Sequence, residues 1–264
     1  MITSIPTNII MGIMKATNIE MLAEMTSAGT AGISGHGAML RLARLLQFSD
    51  STLPVGAFAF SNGLESAIQT GVVTDRASLH QFVELVIRQS ARMDGVAFIH
   101  AYRAVRDGDY EGVKEADAAL WRRRVGREQQ QMLARMGKKL AELSLKIGNF
   151  PTLEIWLQDI KSQMTPGCFP VGQAICLSQL GASEQEAFVV HQYGVAAMLL
   201  SAAVRLMRID HIDTQKALFE IQERVEEDYL AVKDRKLDEM SSFAPVFDVL
   251  VAHHTRTHLR LFMN

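Results

Sequence analysis

From residue 39 onward, apolar residues recur at three- to four-residue spacing, and that period limits what this chain can fold into. Leu79, Val83, Val86, Met93 and Ala97 make one stripe, and Leu218, Ile221, Val225, Tyr229 and Val232 make another. Each has the spacing that buries one face of a helix. Strand-like runs bounded by Gly/Asn turns hardly occur. No fixed-period repeat marks a solenoid. The expected fold class is all-α, a single irregular helical domain of about ten helices.

Local signals place the helices. A short one is expected over 39–48, and Pro54 and Gly56 break the chain after it. Asn62 and Glu65 stand in capping-box spacing before a helix that Gly71 closes. Thr74 or Asp75 opens a long helix that runs to a turn around Gly108. Helix is expected over 111–147, with Gly126 and Gly137 as weak points, then over 151–164 and 170–180. Ser183 and Glu186 form a second capping box before a helix to about Arg208. Asp213 or Thr214 caps the next helix, flanked by an i,i+4 pair of Glu220 and Arg224, and Pro245 opens the last one.

Residues 1–38 read differently. They hold Met1, Met11, Met14, Met21 and Met25, and 26–37 is small and Gly-rich like a linker. The expected organisation is a poorly ordered leader over 1–38 and one helical domain over 39–264. No positive charge precedes Lys15, so a secretory n-region is missing. The most apolar later stretch, 195–204, is shorter than the roughly 20 residues a membrane span needs. A cytoplasmic protein that does not enter a membrane is expected. With 27 basic and 29 acidic residues, a dedicated nucleic-acid binder is not.

Two cysteines, Cys168 and Cys176, exclude a disulfide framework and read as buried thiols rather than a metal pair. The phosphate-loop, dinucleotide, zincin and nucleophile-elbow motifs are all absent. His254 and His258 share a helix face at i,i+4, a two-ligand spacing for zinc or nickel. With His253 they also suit a solvated helix end. A helical metal-binding enzyme using these C-terminal histidines is therefore the alternative function. His100 reads as a core histidine with one hydrogen bond, and His80 as solvated. Arg122, Arg123, Arg124 and Arg127 around Trp121 read as a solvated or partner-facing flank.

Two features point to binding. The loop over 50–58 combines Pro54, Gly56 and large apolar residues. Such a loop is packed, either as a helix connection or as a protein contact surface. Arg205 interrupts an apolar helix and shares a face with His191, Val195, Met198 and Ala202, with Tyr193 to the side. That is interface hot-spot composition, or else snorkelling at a helix end.

Asp50-Ser-x-Leu-Pro54-x-Gly56-x-Phe58 followed by Ser61-x-Gly63-Leu64-Glu65 resembles the N-terminal signature of the UreF family of urease accessory proteins. Glu128 with Gly137-Lys138, Tyr193, Ser201-Ala-Ala-Val-Arg205-Leu206, Ser242-x-x-Pro245 and the closing Arg260-Leu261-Phe262 resemble later family segments in order. The resemblance spans about 39–264. It departs at Phe60, where the family often has His, at Thr255, where it has Glu after His, and at Cys168-Phe-Pro170-Val171-Gly172, where it has His-Pro-Val.

The resemblance implies an all-helical, dimerising, non-catalytic scaffold. It would join the accessory protein UreD (also called UreH), recruit the GTPase UreG, and serve nickel insertion into apo-urease. It implies no firmly bound cofactor, the nickel being handled by the assembled complex, and it assigns no metal ligand in this chain. Tyr193 and Arg205 are the expected GTPase-facing residues. Asp50, Pro54, Gly56, Ser61, Gly63, Leu64, Glu65, Arg260, Leu261 and Phe262 are expected to serve structure or an interface. Arg124 or Arg205 acting as an arginine finger on the GTPase is a further expectation.

Overall fold

The computed structural model describes residues 33–50, 52–57, 60–124 and 126–241. Among them every regular element is a helix and no strand occurs, as the period requires. The expected last helix from Pro245, the residues Arg260, Leu261 and Phe262, and His253, His254 and His258 lie outside the described residues. The chain divides at Arg44 and Leu45 into two compact units. Helix α1 (Ile33–Ser49) begins earlier than its apolar spacing suggests. In the first unit its Met39, Leu40 and Leu42 are exposed. The last residues of α1 and every later helix belong to the second unit.

A short helix, α2 (Leu64–Gln69), comes after the 50–57 loop. The capping box expected of Asn62 is not formed. Asn62 (φ 49°) and Gly63 (φ 82°) are both left-handed, and Gly63 holds the N-cap position with no side-chain cap. A residue with a Cβ would be strained there. At its other end Val72 N–H donates to Ala67 O and Gly71 N–H to Ile68 O, the helix-stop geometry expected of Gly71.

Helix α3 (Arg76–Ser90) is capped by Asp75, whose carboxylate accepts the Ser78 N–H at 2.8 Å while Ser78 Oγ accepts the Asp75 N–H. The turn then widens over Ala91–Gly95 into π geometry before α4 (Val96–Asp107). Gly95 lets this turn approach α9, since a Cβ there would lie 2.9 Å from the Phe188 ring. The stripe from Leu79 to Ala97 is buried throughout. The π turn also brings Asp94 into the interior, which the stripe alone does not foresee.

The expected helix over 111–147 is two, α5 (Tyr110–Arg123) and α6 (Arg127–Ile147), broken near Gly126. Gly137 is no weak point. It sits mid-helix where a Cβ would meet Gly167 O at 2.1 Å, so its missing side chain lets α6 touch the turn before α8. Helix α7 (Pro151–Lys161) has its Pro at the first turn. Helix α8 (Phe169–Gln179) is buried all round from Pro170 to Leu177 and packs against α4 and α6 as the central rod. Asp117 on α5 anchors it: the buried carboxylate accepts Trp156 Nε1–H, the Thr165 hydroxyl, and the Gly167 and Cys168 N–H groups at 2.7–3.1 Å.

Helix α9 (Glu184–Leu206) carries the expected Ser183–Glu186 capping box and serves two cores. Ala187 and Phe188 join the core of α4–α8, while Ala196, Leu199, Leu200, Ala202 and Ala203 pack with α2, α3 and α10. Among the described residues α9 is the helix long and apolar enough to cross a membrane, and 50% of its most apolar window is buried inside the fold.

Helix α10 (His211–Gln222) starts before the expected cap, because Asp210 and not Asp213 or Thr214 accepts the capping N–H. Helix α11 (Val225–Val232) comes after a break. The stripe read as continuous is therefore divided: Leu218 and Ile221 fill the second core, Val225, Tyr229 and Val232 the first. The expected Glu220–Arg224 pair is not made. Glu220 lies by Arg76 and His80, and Arg224 pairs with Glu84 (3.2 Å) and Glu227 (3.0 Å). His80 thus has an acidic neighbour rather than water alone.

Candidate functional site

A partly open cavity of about 140 Å³ lies among the end of α1, the 50–57 loop, α6, α8 and α9. Its walls are apolar and rich in methionine, including Met132, Met136 and Met198, with Leu53 and Val55 from the loop. Its polar lining is Asp94, Arg124, Gln173 and His191, and Asp50, Asn62, Ser201 and Arg205 also border it.

Helical phase on α9 places His191, Val195, Met198 and Arg205 together on this wall, as their spacing predicts. Ala202, expected beside them, instead faces the second core. Arg205 is exposed, and its Nε–H donates to Ser201 O at 3.3 Å. Partial desolvation holds its pKa below the usual value. Tyr193 is half-buried against the second core and does not line the cavity. The structure therefore does not bring Tyr193 and Arg205 to one spot.

The signature residues divide in the same way. Asp50 lines the cavity, and its carboxylate accepts the Thr52 N–H at 2.7 Å, which lowers its pKa. Leu53, Val55 and Ala57 turn inward, while Pro54 and Gly56 (φ 91°) are exposed. Ser61, Gly63, Leu64 and Glu65 are buried at the start of α2, and Leu64 fills the second core. They shape the helix entry rather than a surface.

Sequence reasoning missed the polar lining. Asp94 and Arg124 form a buried ion pair, with Ser90 Oγ also donating to Asp94. Arg124 is thus held in an ion pair and is no solvated flank. His191 is 2% exposed, stacks on Phe98 with ring centroids 5.1 Å apart, and places Nδ1 2.9 Å from Gln173 Oε1. Burial pushes its pKa down to about 4, so it is neutral near pH 7. No local sequence signal marks the Asp94–Arg124 pair, because it forms only where the widened turn over Ala91–Gly95 meets the end of α5.

Other expected residues take structural places. His100 Nε2 lies 2.8 Å from Arg235 O, the single hydrogen bond expected of it. Cys168 and Cys176 are free and buried, and burial raises the Cys176 thiol pKa to about 12 and that of Cys168 well above its usual value. Among the described residues no group of three or more His, Cys, Asp or Glu could hold a metal.

The sequence model of the UreF family matches residues 73–222. Relatives called urease accessory protein UreF, from Yersinia enterocolitica, Yersinia pseudotuberculosis and Yersinia pestis, are each 47% identical over 223 residues, covering 84% of this chain and 98% of theirs. The chain belongs to the UreF family. As a UreF-family member it is a non-catalytic accessory protein involved in urease maturation, the class its signature residues imply. The signature loop and the family-like segments on α6, α8 and α9 all border the cavity.

Proposed function

We propose that this UreF-family chain is the scaffold that joins the accessory protein UreD (also called UreH) and recruits the GTPase UreG, with nickel handled by the assembled complex on its way to apo-urease. The observation that carries the reading is Arg205, exposed on the long α9 beside a methionine-lined cavity bordered by the signature loop. An exposed guanidinium beside apolar concavity is the make-up of an interface anchor. Arg205 is the GTPase-facing residue of this reading, and Tyr193 supports the same helix from its other flank. The loop from Pro54 to Phe60 serves structure or faces the other accessory subunit.

A scaffold of this kind acts by binding one conformation of the GTPase better than another. The working unit is a homodimer in the cytoplasm, and the binding function resides in residues 39–264 rather than in the leader 1–38. Tagged protein purified from cells carrying a urease operon, with its companions identified by mass, tests this. Co-purification of UreD and UreG is expected. Recovery of the chain without either would overturn the reading.

A further inference from the structure

We propose that the cavity on α9 is a binding site for a phenol-type group, a planar apolar ring carrying one hydroxyl, with that hydroxyl held between His191 Nε2 and Arg124 Nε. The proposal goes beyond the scaffold reading and does not depend on Arg205 contacting a GTPase.

Four observations carry it. His191 and Arg124 line the same cavity, and among the described residues His191 Nε2 and Arg124 Nε are buried without a hydrogen-bond partner. Both side chains are held in place, His191 by Gln173 and the Phe98 ring, Arg124 by Asp94. The two atoms are opposite in kind. With Gln173 presenting its oxygen, Nδ1 carries the imidazole proton and Nε2 is an acceptor, while a guanidinium Nε–H is a donor. A hydroxyl satisfies both at once by donating to one and accepting from the other. A hydrocarbon satisfies neither.

The rest of the cavity selects the body of the ligand. Its size, about 140 Å³, is close to the ~150 Å³ at which an apolar protein cavity takes up benzene. Met132, Met136 and Met198 can adapt to a ring face or edge. A carboxylate or phosphate is disfavoured, because Asp94 already neutralises the buried guanidinium. A phenol has two sources, a free small molecule and a tyrosine side chain of a bound protein, and both present the same chemistry.

The test uses the full chain, with p-cresol as probe and toluene as the same ring lacking the hydroxyl. Binding is read from the rise in unfolding temperature and from the ring-nitrogen NMR signal of His191 in protein carrying 15N-histidine. The expected result is p-cresol binding at least about tenfold tighter than toluene, equivalent to about 1.4 kcal/mol, with a shift of the His191 Nε2 signal. His191→Phe should remove the preference, and Met198→Trp, which fills the cavity and keeps the histidine, should remove binding of both. Equal binding of the two probes, binding that leaves the His191 signal unmoved, or a site that takes up water alone would overturn the proposal. Competition of p-cresol with capture of UreD or UreG would identify the source as a partner's tyrosine. Binding without competition would identify a free ligand.

Discussion

Arg124 and Asp94, 30 residues apart in sequence, meet in a nearly buried ion pair that ties the π turn between α3 and α4 to the end of α5. Each charge depends on the other for solvation, so removing one leaves an uncompensated charge in the interior. Asp94→Ala is expected to cost about 3–5 kcal/mol in urea unfolding. The double change Asp94→Leu with Arg124→Met should recover most of that loss. A double variant no more stable than Asp94→Ala would show that the pair is not the cause.

His191 makes stability depend on pH in a defined direction. Its folded pKa, about 4, lies below the ordinary histidine value of about 6.5. Its contribution is therefore complete above about pH 6.5 and is lost as pH falls through 4, because the unfolded chain takes up the proton first. The difference corresponds to about 3 kcal/mol. His191→Phe should flatten the fall in stability between pH 6.5 and 4 relative to the parent chain, measured by urea titration at several pH values. Parallel pH profiles for the two proteins would contradict this.

Gly137→Ala places a methyl group against Gly167 O, Phe169 N and Cys168 C, all backbone atoms that cannot rotate away. A loss of about 3 kcal/mol or more is expected, as α6 is levered off α8. Gly194→Ala is the control. It lies within α9 with nothing within 4 Å of the added carbon, and should be neutral or stabilising by up to about 1 kcal/mol. Thermal unfolding of the two variants side by side decides the matter.

Gln192 is buried with neither amide atom partnered among the described residues. Gln192→Leu keeps the approximate volume and removes the unmet polar groups, so it is expected to leave stability unchanged or raise it by about 1–2 kcal/mol. A loss above about 1 kcal/mol would show that the amide has a hydrogen-bonding role.

The helices were legible because burial leaves a 3.6-residue trace. The Leu79–Ala97 stripe, the Ser183 cap and the Gly71 stop all stand where their residues put them. The face of α9 that carries His191, Val195, Met198 and Arg205 was legible for the same reason. What escaped depends on tertiary approach. Nothing local says that Asp94 turns inward, because a π turn adds a residue that the periodicity does not count. Nothing near Gly137 announces the Gly167 carbonyl against it, and nothing near Arg124 announces Asp94. Tyr193 and Arg205 belong to neighbouring family segments, yet the phase of α9 sends one toward the second core and the other to the cavity.

The most direct test of the account is urease activation by a complete operon in which this chain carries Arg205→Ala. Arg205 is exposed, and the unfolding temperature of the variant is measured alongside so that activity is compared between folded proteins. The account predicts that urease activity falls at least about tenfold, a loss of some 1.4 kcal/mol of binding, together with loss of UreG from the purified complex. Full urease activity with normal UreG capture would contradict it.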